Sequence, residues 1–132
     1  MANILCVSNE WNLGFDDIRE LANAGFRVFT AGNGYEAIGK FASREIDAVL
    51  VNRQLPDLAV EDLVNFLKHH SPAMPVIMVS AVMPVADAPA AVDAVIGKHN
   101  CAALLIPTLD TLIPRKQSSP YAAGDNSAPL AA

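Results

Sequence analysis

Five polar residues stand where apolar runs end, and their side chains set the chemistry open to this protein. Ser8 and Asn9 follow Ile4-Leu5-Cys6-Val7, Asn52 follows Ala48-Val49-Leu50-Val51, Ser80 follows Val76-Ile77-Met78-Val79, and Lys98 follows Val95-Ile96-Gly97. Hydroxyl, amide and ammonium groups can hydrogen-bond one another or hold an anion. They are poor ligands for a hard cation, which needs anionic oxygens to offset its dehydration. Two acids follow shortly after these positions, Glu10 and Asp57. Glu10 is the substitute acid that could reach the same pocket, whereas Asp57, directly after Pro56, reads as a turn residue. An ammonium buried without a carboxylate is unfavourable, so Lys98 is expected to reach water, pair with Glu10 or bind an anion such as phosphate, sulfate or an acidic side chain.

Other chemistries find less support. No Cys/His spacing matches a zinc site. Cys6 lies inside an apolar run and reads as a small buried hydrophobe, Cys101 opens a helix, and His69-His70 read as a solvated last helical turn. A flavin or nucleotide binder would want a Gly-rich phosphate loop and an aromatic clamp. The loop is missing, and Trp11 is the sole aromatic support.

The elements that position these residues follow from pattern. The continuous run Ala48–Val51 suits a central parallel strand covered on both faces. Short strands are expected at Ile4–Val7, Arg27–Ala31, Ala48–Val51, Val76–Val79 and, more weakly, Val95-Ile96. Between them, helical spacing places Leu13, Ile18, Leu21 and Ala22 on one face of a helix stopped by Gly25. A second helix presents Tyr35, Ala37, Ile38 and Phe41 behind an Asn33 N-cap and ends near Ser43. A third runs from Leu58 to His70 with Leu63, Phe66 and Leu67 inward, closed by Ser71-Pro72. Pro84 and Pro89 limit any helix in 81–92 to a short piece. The last helix, Cys101 to Ile113, offers Leu105, Leu109, Leu112 and Ile113 to the core. Pro107 costs a helix interior about 3 kcal/mol, so this helix is expected to start late or kink. Five strands alternating with helices imply a parallel sheet with helices on both faces and right-handed crossovers. In such sheets ligands bind beyond the carboxyl ends of the strands, where the five polar residues stand.

Composition agrees with one compact domain. The 132 residues are 52% hydrophobic and 17% charged, which excludes a disordered protein. A net charge of −5 with scattered Lys and Arg argues against a nucleic-acid binder. Apolar stretches fall well short of the roughly 20 residues that span a bilayer, and no basic leader or cleavage pattern precedes Val7, so a cytoplasmic location is expected.

The strand-end residues and their intervals resemble the receiver domain of bacterial response regulators. The marks are Ile4–Val7 before a polar pair, the spacing to Gly25, Asp47–Asn52 followed by Leu55-Pro56, Pro75–Ala81, and the late Lys98. The resemblance covers about Asn3 to Ile113. It implies a flavodoxin-like (CheY-like) three-layer αβα sandwich whose five-stranded parallel sheet has the order 2-1-3-4-5. It also implies a receiver-like domain over 1–113, with 114–132, rich in Ser, Ala, Pro and Gly, as a flexible C-terminal tail.

Matched position by position, the resemblance implies a degenerate phosphorylation pocket formed by Ser8, Asn9, Asn52, Ser80 and Lys98. Ser8 and Asn9 stand where receivers carry the acidic pair for Mg²⁺, and Asn52 stands where they carry the phosphoacceptor Asp. Ser80 and Lys98 match the family's phosphoryl-binding hydroxyl and lysine. His99 replaces the following proline, and Val95 replaces the aromatic switch residue. The expected function is a non-enzymatic, phosphorylation-independent interaction module in two-component signalling with no cofactor, Mg²⁺ binding being lost. Its partner is expected to be a signalling protein, with a homodimer a further expectation, and neither nucleic acid nor membrane. The partner surface is expected at the uncharged run Ala81–Ala86, on Val82, Met83 and Val85, together with Val95. The alternatives are a receiver phosphorylated on Glu10 or Asp57, and an anion-binding pseudo-receiver using Ser80 and Lys98.

Overall fold

A parallel strand that is hidden from water on both faces must be apolar along its whole length. Ile4–Val7, Ala48–Val51 and Val76–Val79 meet that demand, each residue being 1% exposed or less. The computed structural model describes residues 2–8, 14–81, 88–98 and 101–113, with 14–17, 101 and 102 described by their backbone alone. The protein runs β1 (Asn3–Val7), α1 (Gly14–Asn23), β2 (Arg27–Ala31), α2 (Gly34–Ser43), β3 (Ala48–Asn52), α3 (Val60–His70), β4 (Val76–Ser80), β5 (Ala94–Gly97) and α4 (Cys101–Leu112). The strands form one sheet in the order β2-β1-β3-β4-β5, every pair parallel. This is the flavodoxin-like order expected from the sequence.

Alternation along the strands divides the core in two. Ile4, Cys6, Leu50, Ile77 and Val79 face Leu21 of α1 and Leu105 and Leu109 of α4. Leu5, Val7, Val49, Val51 and Met78 face Ala37 of α2 and Leu63 and Leu67 of α3. Cys6 is buried within the first of these clusters.

Helix ends explain where the elements stop. Beyond α1, Phe26 N–H donates to the Leu21 carbonyl at 3.0 Å and Gly25 N–H to the Ala22 carbonyl at 3.1 Å. That is a Schellman closure, and it needs the left-handed conformation that Gly25 adopts at φ 99°. Leu21 and Phe26, packed in one cluster, supply its hydrophobic contact. Ala22 and Tyr35, expected inward, are exposed, Tyr35 to 65%. Helix α3 starts at Val60 rather than Leu58, because Asp57 and Leu58 are drawn toward the start of α2. Helix α4 spans Cys101–Leu112 with Pro107 inside it, so it neither starts late nor stops there. Burial of Leu105 and Leu109, worth about 1.5–3 kcal/mol each, outweighs the roughly 3 kcal/mol that proline costs. Between β4 and β5 the described residues hold a turn at Ala90-Ala91 and no helix.

Two aspartates lock the lower ends of the strands. Asp47 Oδ2 accepts the Asn3 N–H at 2.7 Å while its own N–H donates to the Asn3 carbonyl at 2.8 Å. Asp93 repeats the device one strand pair away: Oδ2 accepts the Val76 N–H and its N–H donates to the Val76 carbonyl, both at 2.8 Å. Lys68 of α3 joins this second lock, donating to Asp93 Oδ2 at 2.7 Å and to the Met74 carbonyl at 2.8 Å. Replacing Asp93 with Ala strands a part-buried N–H and takes the carboxylate from Lys68, whose side chain is 17% exposed and keeps its bond to the Met74 carbonyl. We expect a loss of about 1–3 kcal/mol in urea unfolding, with Lys68→Met adding less in the Asp93→Ala background than in the wild type.

Candidate functional site

Strand register gathers the polar residues at the upper rim of the sheet. Val7 pairs with Val51, so Ser8 and Asn52 continue side by side on β1 and β3. Asn52 pairs with Val79, placing Ser80 one step further on β4, and Ser80 pairs with Gly97, placing Lys98 one step beyond β5. Ser8, Asn52, Ser80 and Lys98 thus form a row across four neighbouring strand ends. Asn9 and Glu10 lie outside the described residues, as do Trp11, Val82, Met83, Val85 and His99.

Burial differs sharply along the row. Ser8 and Ser80 are 1% exposed, Asn52 is half-buried and Lys98 is exposed to solvent. The Ser8 N–H donates to the Ala31 carbonyl at 2.9 Å, and the Arg53 N–H donates to the Val79 carbonyl at 3.0 Å, extending the ladder past Asn52. Asn52 donates through Nδ2 to the Gln54 carbonyl at 3.2 Å, which turns its amide toward its own loop. By alternation Asn52 follows Ala48 and Leu50 on the α1/α4 face, while Ser80 follows Val76 and Met78 on the α2/α3 face. The donors that the described residues bring to this rim are hydroxyl, amide and ammonium groups. Among the described residues, no group of three His, Cys, Asp or Glu side chains is placed to hold a metal ion.

Asp57 does more than turn the loop. Its Oδ1 accepts the Gly34 N–H at 2.8 Å and its Oδ2 accepts the Tyr35 N–H at 2.9 Å. Asn33 Oδ1 accepts the Glu36 N–H at 2.8 Å, so the first three helical amides of α2 are all satisfied, two of them from a distant stretch of sequence. Glu36 completes the arrangement by accepting the Gly32 N–H at 2.9 Å. Leu58 lies against Gly34 so closely that a Cβ there would meet Leu58 Cδ1 at 2.6 Å. Any larger residue there would have to displace the Leu58 side chain. The Asn33-x-x-Glu36 spacing of a capping box could have signalled part of this. No local pattern announces Asp57, whose partners lie 22 and 23 residues away.

The electrostatics follow from these bonds. Partial desolvation pushes the Asp57 carboxyl upward, but the N–H groups of Tyr35, Gly34, Asp57 and Leu58 outweigh it and hold the group below the usual aspartate range. The Gly32 N–H, with help from Lys40, likewise lowers Glu36. A cavity of about 390 Å³ opens beside the loop, lined by Arg53, Leu55, Leu58, Val60, Glu61 and Met78 among others. Val95, expected on a partner surface, is half-buried and packs against the α2/α3 cluster. His69 and His70 end α3 exposed, and the His70 ring rests 4.4 Å from that of Phe66.

A carboxylate with a lowered folded-state pKa contributes stability above its unfolded value and loses it as pH falls through the folded one. The stability difference between wild type and Asp57→Asn is expected to stay level from about pH 7 to pH 5. It should then shrink as pH drops below the ordinary value of 3.8, read from urea midpoints at each pH.

A search of curated proteins returns no match. Solved structures do match. Response regulator protein TrrA from Thermotoga maritima, in complex with Mg²⁺ and BeF, is 25% identical over 86% of the present sequence and 100% of its own, with a TM-score of 0.77. A CheY-like receiver domain from Methylobacillus flagellatus is 22% identical over 85% of the present sequence and 98% of its own, with a TM-score of 0.75. Chemotaxis response regulator CheY4 of Vibrio cholerae is 21% identical over 86% and 99%, with a TM-score of 0.69. The family model of the response regulator receiver domain matches residues 15–99. With more than half of its residues matched by that model, and the strand order and strand-end row already described, the protein belongs to the response regulator receiver family of two-component signalling.

Proposed function

We propose that this receiver signals without aspartyl phosphorylation, as a non-enzymatic module that binds a protein partner in the cytoplasm. The observation that carries this is Asn52, an amide at the strand end where the family places its phosphoacceptor, hydrogen-bonded into its own loop. An amide is not a usable nucleophile toward phosphorus. The neighbouring acid offers no replacement, because both Asp57 oxygens are already engaged by α2. Ser8 is a buried neutral group where an anionic ligand would be needed, so the donor set does not suit Mg²⁺. Transfer to a carboxylate relies on a metal to neutralise the moving group, and the described residues supply no group of three His, Cys, Asp or Glu side chains to hold one.

The partner class follows from kinship. TrrA has been solved in complex with the histidine kinase ThkA, and TrrA is 25% identical to this protein. We infer a two-component signalling protein, or a second copy of the same molecule, as the partner. A second use of the pocket has its own support: Ser80 is buried one register step from the exposed Lys98, a pairing of hydroxyl and ammonium suited to an anion. Whichever holds, the pocket is not expected to be covalently modified.

Incubation with acetyl phosphate and Mg²⁺, followed by intact mass, is expected to leave the protein unchanged, and an acid-labile gain of one phosphate would sink the proposal. The restored triple variant Ser8→Asp, Asn9→Asp, Asn52→Asp keeps Ser80 and Lys98 and should become phosphorylated under the same conditions. A restored variant as inert as the wild type would place the loss outside these three residues.

A further inference from the structure

Asn33-Gly34 is the single Asn–Gly step in the sequence. Such a step is chemically weak, because glycine has no side chain to hinder its backbone nitrogen from attacking the asparagine amide. In this fold the step sits at the start of α2, where three contacts bear on it. The Gly34 N–H is held by Asp57 Oδ1 at 2.8 Å. The Asn33 Oδ1 atom is held by the Glu36 N–H at 2.8 Å. The flank of Gly34 is closed by Leu58, and Gly34 is buried.

We propose that Asn33 is a spontaneous deamidation site which the Asp57 clasp holds in check, so that opening the loop between β3 and α3 starts its conversion to aspartate and isoaspartate. The reaction needs no partner enzyme and no redox agent. The Gly34 nitrogen gives up its proton to solvent base and forms a bond to Asn33 Cγ. The bond between Cγ and Nδ2 breaks, and ammonia leaves with a proton taken from water. The resulting five-membered succinimide is opened by one water at either carbonyl, giving aspartate or isoaspartate.

The native contacts oppose the first step in two ways. Attack requires the Gly34 nitrogen to lose its proton and swing toward Cγ, and Asp57 both keeps that proton and fixes the nitrogen in the helical turn. Attack also requires Asn33 to release the Glu36 N–H, which undoes the helix cap. A carboxylate held below its usual pKa remains charged over the neutral and mildly alkaline range in which succinimides form, so the clasp persists there.

The two products would act differently. Aspartate keeps an oxygen able to cap the Glu36 N–H, but it adds a third negative charge beside those of Asp57 and Glu36. Isoaspartate lengthens the backbone by one methylene between Gly32 and Gly34. That displaces both N–H groups that Asp57 now accepts and would free the loop that follows Asn52. A single modified residue would thus loosen the connection between the strand-end row and α2 without touching the row itself.

The test incubates the 132-residue protein at mildly alkaline pH and follows Asn33 by peptide mapping with isoaspartate detection. Folded wild type, urea-unfolded wild type, Asp57→Ala and Asp57→Asn are run together, with Asp93→Ala as a control destabilised at the opposite end of the sheet. Asp57→Ala is expected to convert about tenfold faster than folded wild type, which corresponds to one decade of opening equilibrium. Asp57→Asn, retaining one acceptor oxygen, should fall between them, and Asp93→Ala should stay near wild type. If Asp57→Ala proves too unstable to fold, the comparison rests on Asp57→Asn and on folded against unfolded wild type. Folded wild type converting as fast as the unfolded protein overturns the proposal. So does an Asp57→Asn rate no greater than that of Asp93→Ala.

Discussion

Every residue from Ile4 to Val7, Ala48 to Val51 and Val76 to Val79 is withdrawn from water, and this two-sided burial is the constraint on which the placement of every other group rests. A strand covered on both faces cannot slip by one residue without exchanging one complete set of contacts for the other. Register is therefore rigid, and the polar residues that end the strands arrive together at one rim. The last apolar positions thereby fix which side chains meet there, whether sealed like Ser8 and Ser80 or exposed like Lys98.

The same rigidity is secured from below by backbone pairing with two carboxylates. Asp47 and Asp93 stand at the same place relative to their strands, each directly before an Ala-Val pair, and each meets the first residue of the neighbouring strand through both its N–H and its carboxylate. Above, Asp57 binds the opening turn of α2. Three aspartates thus serve the backbone, so counting acids in a receiver overstates the carboxylates available for chemistry.

Much of the fold was legible in the sequence because its determinants are local. Apolar runs marked β1, β3 and β4, Gly25 and Asn33 marked helix ends, and the spacing of the runs carried the family. The misplaced features have non-local causes. Leu58, the first residue expected in α3, packs instead on Gly34, more than twenty positions earlier, beside the Asp57 carboxylate that takes up the Gly34 and Tyr35 N–H groups. Pro107 was overruled by the burial of Leu105 and Leu109, which a propensity scale does not see. At the site, residue identity carried the chemistry, whereas burial did not follow from it: Ser8 and Ser80 are sealed while Lys98 stands in solvent. The repeated Asp-Ala-Val triplet was in plain view, yet nothing within either triplet says which backbone N–H its carboxylate will find.

The edge strand β2 has one more feature, supplied by the long side chain of Lys40. Arg27 N–H and the Ala31 carbonyl pair with β1, so Val28 and Thr30 turn their backbone groups outward. Lys40, reaching across from α2 and steadied by Glu36 at 3.4 Å, donates to the Thr30 carbonyl. A parallel sheet has two open sides and is in principle polymerisable. Lys40 makes the two sides unequal: a strand arriving at β2 would first have to displace an ammonium from the Thr30 carbonyl, a desolvation cost set by one side chain rather than by the sheet.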